Sequence, residues 1–210
     1  METELKLALS SEQIVAVEAL PLLQKYGDGV AEERRLISTY YDTPALELRA
    51  ERISLRLRDK GDGWVRTVKT AGSSEGGLYR RNEYEVKLTH AELDLEVLSE
   101  LGIVVLNRAI DEQQLQPQFV TDFVRKQWLL HTPQGEVEFA LDLGGVRACD
   151  AGQDGAEIKI CEIELELRDT AEDADPTFLF QISDEIRAAG IMVELDAVSK
   201  AERGYSLISG

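Results

Sequence analysis

Like charges recur at alternate positions in four stretches of the chain: Glu162-Ile163-Glu164-Leu165-Glu166, Glu2-Thr3-Glu4, Glu83-Tyr84-Glu85 and Arg56-Leu57-Arg58. Alternate residues of an extended chain point to one face, so each stretch stacks charges of one sign side by side. The repulsion is roughly 1 kcal/mol per pair in water and several times that at an effective dielectric of about 20. Something must neutralise it. Direct pairing between acidic and basic strands would do so without any function. A ligand set is the other solution. Carboxylates are hard oxygen donors suited to Mg²⁺ or Mn²⁺, and Mg²⁺ is commonly held by a few carboxylates together with water and substrate phosphates. Clustered Arg and Lys suit the phosphates themselves. The combination predicts phosphoryl chemistry.

These side chains need strands to aim them. Near-perfect alternation predicts strands at Glu2–Leu7, Ile53–Arg58, Arg81–Lys87, Val137–Asp142 and Cys161–Glu166. Turn-forming stretches lie between them at Asp59-Lys60-Gly61-Asp62-Gly63, Gly72 to Gly77, Pro133-Gln134-Gly135 and Cys149 to Gly155, which predicts a mainly antiparallel sheet. Amphipathic helices fill the gaps. One starts at Ser10 or Ser11 and is ended or kinked by Pro21. A second is capped by Thr89 and Glu92 and stops near Gly102. A third opens on Asp175-Pro176 and stops at Gly190. Their apolar faces need the aliphatic faces of the strands. The expected fold is therefore α+β: a closed, eight-stranded antiparallel β-barrel with helices packed on its outside and a polar tunnel inside. A dry interior could not hold so many charges.

Composition narrows the function. With 210 residues and no low-complexity linker, the chain reads as a single domain, 1–210. Its 40 acidic against 23 basic residues give a net charge of -17, which disfavours a nucleic-acid partner. No apolar stretch is long enough for a membrane span, and Met1-Glu2-Thr3-Glu4-Leu5-Lys6 is too charged for a secretory signal, so a cytoplasmic location is expected. Cys149 and Cys161 have neither CxxC nor zinc-type spacing, and His90 and His131 lie far apart. The cysteines read as small buried hydrophobes and the histidines as surface residues. There is no Ser/His/Asp or Cys/His nucleophile pattern and no GxxxxGK[ST] loop, which leaves water as the nucleophile.

An ordered series of motifs resembles the CYTH family, also called the triphosphate tunnel metalloenzymes. Glu2-x-Glu4-x-Lys6 is similar to the family's ExExK signature. It is followed by Tyr40-Tyr41-Asp42-Thr43, Leu55-Arg56-Leu57-Arg58, Thr67-Val68-Lys69, Arg81-x-Glu83-x-Glu85, Phe123-x-Arg125, Ala140-Leu141-Asp142, Glu162-x-Glu164-x-Glu166 and Ser199-Lys200-Ala201-Glu202-Arg203-Gly204-Tyr205. The resemblance covers essentially the whole chain. Thr121-Asp122-Phe123 with Trp128, Gly76-Gly77-Leu78 and the Ser199 to Tyr205 segment look most like the bacterial inorganic triphosphatases. Those enzymes often carry a helical CHAD domain after the tunnel, and Gly210 falls where one would start.

The resemblance implies metal-dependent hydrolysis of inorganic triphosphate to phosphate and pyrophosphate, with Mg²⁺ or Mn²⁺ as cofactor and two ions per site. Its implied metal ligands are Glu2, Glu4, Glu164 and Glu166, with Glu83, Glu85, Asp142 and Glu162 as further acidic candidates. Its implied substrate ligands are Lys6, Arg56, Arg58, Lys69, Arg81, Arg125, Lys200 and Arg203. Glu4, Lys6, Arg56, Arg58 and Lys69 are the implied catalytic core. Strand parity supports most of this set. Lys200 and Arg203, three apart, would share a face of a terminal helix capped by Asp196 or Ser199. Tyr41 and Asp42 read as packing, and Glu138 and Lys87 as solvated. Two other functions fit the charges. One is a nucleotide or thiamine triphosphatase, or a class IV-like adenylate cyclase, on the same fold, with Trp64 or Trp128 as a docking platform. The other is a non-catalytic polyphosphate-binding module.

Overall fold

A computed structural model of the chain describes residues 2–75, 78–150, 155–168 and 175–208. Eleven strands form one sheet: β1 (Glu2–Ala8), β2 (Glu32–Asp42), β3 (Ser54–Asp59), β4 (Trp64–Lys69), β5 (Ser73–Glu75), β6 (Leu78–Arg81), β7 (Glu83–Leu88), β8 (Gln116–Thr132), β9 (Gly135–Ala148), β10 (Glu157–Leu167) and β11 (Glu194–Leu195). All the pairings are antiparallel. The order is β5-β6-β1-β10-β9-β8-β2-β3-β4-β7, with β11 paired to β1. This corrects the expected closed, eight-stranded barrel. The sheet is curled and open, with β5 and β7 at its two ends. The chain itself spans the gap. The single strand expected over Arg81–Lys87 is broken at Asn82, so that β6 pairs with β1 while β7 pairs with β4.

Curling leaves an outer face for helices. α1 (Ile14–Glu18), α2 (Pro21–Tyr26) and α6 (Phe178–Ala188) cover one stretch of it. There Val17, Leu22, Leu23, Leu179 and Ile182 pack with Leu5, Leu165, Phe139 and Trp128. α3 (Glu47–Ala50), α4 (Leu95–Ser99) and α5 (Val104–Asp111) cover β3 and β4 through Leu48, Leu98 and Leu106 against Leu55 and Val68. Arg66 faces outward from β4 and donates to the carbonyls of Leu93 and Asp94 at 2.7 and 2.8 Å, which ties α4 to the sheet. α7 (Lys200–Ile208) is the exception: it lies across one end of the curl, on Tyr40, Phe119 and Phe123.

Several local expectations change. The first helix ends at Glu18, before Pro21, as expected, and Pro21 then opens α2 at its first turn. Asp94, not Thr89, caps α4, and α5 follows as a second helix. The third helix starts at Phe178 after Thr177, later than the expected Asp175 cap; Asp175 instead accepts from the Thr177 amide at 3.0 Å in the turn before it, and Gly102 and Gly190 adopt the left-handed conformation expected of helix stops. The hairpins after Asp59 and around Pro133 are present between β3 and β4 and between β8 and β9. Gly76, Gly77 and positions 151 to 154 lie outside the described residues. Cys149 is exposed and Cys161 half-buried, so neither is the buried hydrophobe expected. Both histidines are at the surface, as expected.

Candidate active site

The concave face of the curl holds a cavity of about 260 Å³. Register explains its lining. Glu4 pairs with Glu166 and Lys6 with Glu164 across β1 and β10, and Glu162 pairs with Asp142 across β10 and β9. Arg125 faces Asp142 across β9 and β8, and Lys69 faces Glu83 across β4 and β7. Even-numbered side chains of β1 and β10 therefore meet inside the curl, while Leu5, Leu7, Ile163 and Leu165 go to the outer core. The sheet is buried on both faces, and only one of them is apolar.

Thirteen of the expected residues line the cavity: Glu2, Glu4, Lys6, Arg56, Arg58, Lys69, Arg81, Glu83, Glu85, Arg125, Glu164, Glu166 and Lys200. Asp142 and Glu162 lie behind the wall, fully buried. Arg203 does not line the cavity; it reaches Glu162 at 2.9 Å, the Lys159 carbonyl at 3.1 Å and Asp196. Ser199, not Asp196, caps α7, accepting from the Glu202 amide at 3.1 Å. Lys87 is solvated, as expected. Glu138 is not: it is 5 % exposed and paired with Arg125 and Arg168. Arg34, Lys60 and Arg168 also line the cavity. Parity along Glu32-x-Arg34-x-Leu36-x-Ser38-x-Tyr40 was the signal that could have found Arg34 and Tyr40. Asp42 is structural. It accepts from the amides of Thr43, Leu48 and Arg49 and from the Tyr205 hydroxyl at 2.7 to 3.0 Å, tying α3 and α7 together.

Two arrangements dominate the electrostatics. In the first, cations neutralise carboxylates. The Lys200 ammonium lies 2.6, 2.5 and 2.9 Å from Asp142, Glu162 and Glu164. Lys6 is 2.5 Å from Glu164, and Arg125 forks onto Asp142 at 2.7 and 2.8 Å. Burial disfavours the charged forms here, but Lys200, Lys6 and Arg125 outweigh it and hold Glu164 well below the usual carboxylate range. On Asp142, Arg125 and Lys200 overcome burial in the same direction. Arg81 spans Glu2 at 3.3 Å and Glu4 at 2.6 Å, and Lys69 grips Glu2 at 2.7 Å.

In the second, positive charge is left over. Arg58 is 6 % exposed, and its Nε donates to the Ser38 hydroxyl at 2.8 Å. No carboxylate lies within 4.0 Å of it among the described residues. Burial, with Arg56 and Arg125 nearby, pushes its pKa down to about 9. Arg56 meets Glu83 and Glu85 only at 3.5 and 3.7 Å, and its buried Nε has no acceptor. On Tyr40, burial favours the neutral phenol, but Arg56 and Arg58 overcome it and lower the pKa. Buried donors without acceptors are costly. An oxyanion would relieve this corner.

Glu166 shows the opposite need. Burial and the neighbouring carboxylates Glu2 and Glu138 outweigh Arg168 and push its pKa up to about 7. Glu2, Glu4 and Glu166 thus present hard oxygen donors to the cavity, with too few cations around Glu166 to hold it ionised, which fits a divalent cation. Asp142, Glu162 and Glu164 bring one oxygen each within 4.8 Å of one another, a spacing that suits a metal ion.

The sequence as a whole matches the model of the CYTH domain over residues 1–205. The chain belongs to the CYTH family. It is 32% identical over 208 residues to the inorganic triphosphatase of Haemophilus influenzae, and the match covers 98% of this chain and 54% of that protein. The chain therefore spans about half the length of this relative. A solved structure from Hippeastrum, described as an adenylyl cyclase with a dominant triphosphatase activity, superposes with a TM-score of 0.63 at 19% identity, covering 98% of this chain and 96% of that one. A Bacillus halodurans structure described as an adenylate cyclase gives 0.57 at 19% identity over 97% and 96%. At these identities the two structures establish the fold. Among the described residues no helix is long and apolar enough to cross a membrane.

Proposed function

We propose that this CYTH chain is an inorganic triphosphatase that hydrolyses tripolyphosphate to phosphate and pyrophosphate within the curled sheet. The observation that carries the reading is the Arg56 and Arg58 corner, where a buried guanidinium without a carboxylate adjoins a buried donor without an acceptor. Phosphate oxygens supply what both lack. Lys6, Lys69, Arg81 and Arg125 are already bound to carboxylates, so they hold their heads in place before substrate arrives and need little reorganisation as charge builds on the leaving oxygen. That preorganisation favours the transition state over the ground state.

Glu2, Glu4 and Glu166 would hold Mg²⁺ or Mn²⁺, with room for two ions if Glu83 and Glu85 take part. When bound, such an ion polarises phosphate oxygens and acidifies water. Without the ion Glu166 keeps a proton up to about 7, and an ion held by Glu166 would displace it. A nucleotide substrate has less support. Trp128 is buried in the outer core against Phe139, and Trp64 lies at the outer end of the β3-β4 hairpin, so neither platform lines the cavity. Incubation with Mg²⁺ and, separately, tripolyphosphate, ATP or thiamine triphosphate, followed by ³¹P spectroscopy, tests the reading. Release of phosphate and pyrophosphate from tripolyphosphate, fastest among the three, is expected. Preferential turnover of ATP or thiamine triphosphate would overturn it, and tight binding without turnover would favour a polyphosphate-binding module.

A further inference from the structure

A second cavity of about 310 Å³ lies beside the first, between β4, β6, α3 and α7. Among the described residues Arg49, Arg52, Lys69, Arg80 and Arg81 line it with one carboxylate, Glu202, 3.5 Å from Arg49, while Lys69 and Arg81 also pair with Glu2 and Glu4. Ser54, Lys69, Arg81, Ser199 and Ala201 border both cavities, so the two communicate. The cavity that shares Glu32 and Gln127 at another side mixes Lys25 with Asp28 and Glu32. A chain of net charge -17 repels a polyanion at long range. A local patch of net positive charge reverses this at short range and raises the rate and strength of capture.

Arg52 adds an independent observation. It follows α3 with φ of 57°, in the left-handed region. Its amide donates to the Arg49 carbonyl and the Ile53 amide to the Leu48 carbonyl, both at 2.8 Å, which is the helix-ending turn that usually takes glycine at this position. An arginine here carries the cost of a left-handed backbone, and its exposed guanidinium reaches the Gly72 carbonyl only at 3.4 Å. Leu46, Asp94 and Gln113 share a positive φ, but of the four only Arg52 sets a cation on the wall of this cavity. Arg80 is exposed too, and pairing of its backbone with Thr3 on one side and Ser73 on the other fixes where it starts.

We infer that this basic cavity is the port at which a phosphate chain first docks, with Arg52 and Arg80 holding its outer phosphates before and while the chain enters the site. The inference rests on the triphosphate reading above. It is tested by calorimetric binding of tripolyphosphate to the metal-free protein at about 50 and about 300 mM salt, concentrations that change charge screening. The proteins compared are wild type, Arg52→Gly, Arg80→Gln, the double variant and Arg35→Gln. Arg35 pairs with Asp122 outside both cavities, and its loss matches the change in net charge of each single variant. The double variant should bind at least about fivefold more weakly at the lower salt, and the difference should shrink at the higher salt. Arg35→Gln should bind like wild type. Arg52→Gly should melt no lower than wild type, because glycine relieves the strained turn. Unchanged affinity in the double variant, an equal loss in Arg35→Gln, a lowered melting point of Arg52→Gly, or no binding of tripolyphosphate by wild type would each overturn the port. Wild-type binding that depends on Arg52 and Arg80, without hydrolysis in Mg²⁺, would support the port and overturn the triphosphatase reading alone.

Discussion

Gly204 rests directly on the ring of Phe119: a Cβ built at Gly204 would overlap the ring carbons Cδ2, Cε2 and Cγ. Phe119 is stacked on Tyr40 at 4.7 Å and meets Tyr205 edge-on at 5.0 Å, so it cannot move aside cheaply. This contact sets how deeply α7 seats and therefore where Lys200 ends. Gly204→Ala should destabilise the protein by about 1–3 kcal/mol through overpacking and raise hydrogen exchange across 200–208. A melting curve superposable on wild type would show that α7 is not clamped by this contact.

Lys200 is 5 % exposed and its ammonium serves Asp142, Glu162 and Glu164 together. Removing it leaves three carboxylates facing one another. Lys200→Ala should cost about 3–5 kcal/mol, the scale for breaking a buried pair. Because the three oxygens suit a cation, millimolar Mg²⁺ should recover part of the loss. Thermal unfolding with and without Mg²⁺ measures both effects, and a stable Lys200→Ala protein in EDTA would contradict them.

Arg58→Met should separate stability from activity. The guanidinium is buried beside Arg56 and Arg125 without a carboxylate, so replacing it with an apolar side chain of similar length should leave the melting point unchanged or raise it. Turnover of tripolyphosphate should fall about 100-fold or more, the scale of losing one preorganised oxyanion donor. Loss of stability in parallel with activity would mean that Arg58 is structural.

Glu166 makes stability pH-dependent in a direction unusual for a carboxylate. Folded Glu166 keeps its proton to about 7, whereas the ordinary carboxylate value is 4.5. Between those values the native state binds more protons than the unfolded chain, so its contribution to stability is full below 4.5 and is lost as pH rises through 7. Glu166→Gln should flatten this part of the stability profile. A divalent cation competes with the same proton, so its apparent affinity should rise by up to about tenfold per pH unit below 7 and then level off. Calorimetric titration of Mg²⁺ at several pH values checks this, and a pH-independent affinity would remove Glu166 from the ligand set.

Glu4→Gln should abolish metal-dependent turnover. Glu4 is 3 % exposed and bound to Arg81 at 2.6 Å, with Lys6 at 3.7 Å, so the substitution also weakens a buried pair. Glu2 still holds Arg81, which should keep the fold intact by circular dichroism. Turnover by Glu4→Gln equal to wild type, or wild-type turnover undiminished by EDTA, would exclude Glu4 as a metal ligand.

Much of the site was legible because a strand's period of two is strict. Once Glu2, Glu4 and Lys6 are placed on one face, Leu5 and Leu7 must take the other, and the same holds for Glu162, Glu164 and Glu166 against Ile163 and Leu165. Where a strand was missed, only family motifs could supply its residues: they gave Lys69 on β4 and Arg125 on β8, but not Arg34 or Tyr40 of β2 as site residues. Glu138 was misjudged for a different reason: its parity was right, but whether an inward carboxylate meets water or Arg125 and Arg168 depends on strands far away in sequence.

The sequence by itself determined the antiparallel strands, the segregation of charge onto one of their faces and the helices that cover the other, because these follow from local periodicity and turn chemistry. Only the tertiary structure decided how the sheet ends and which charges remain unpaired. The break at Asn82 sends β6 to β1 and β7 to β4, and no local pattern encodes a choice of distant partners. The same packing gave carboxylates to Lys6, Lys69, Arg81, Arg125 and Lys200 and none to Arg58. Ion pairing is decided by distances of a few ångströms between residues far apart in sequence, 158 positions for Lys6 and Glu164, and only folding sets those.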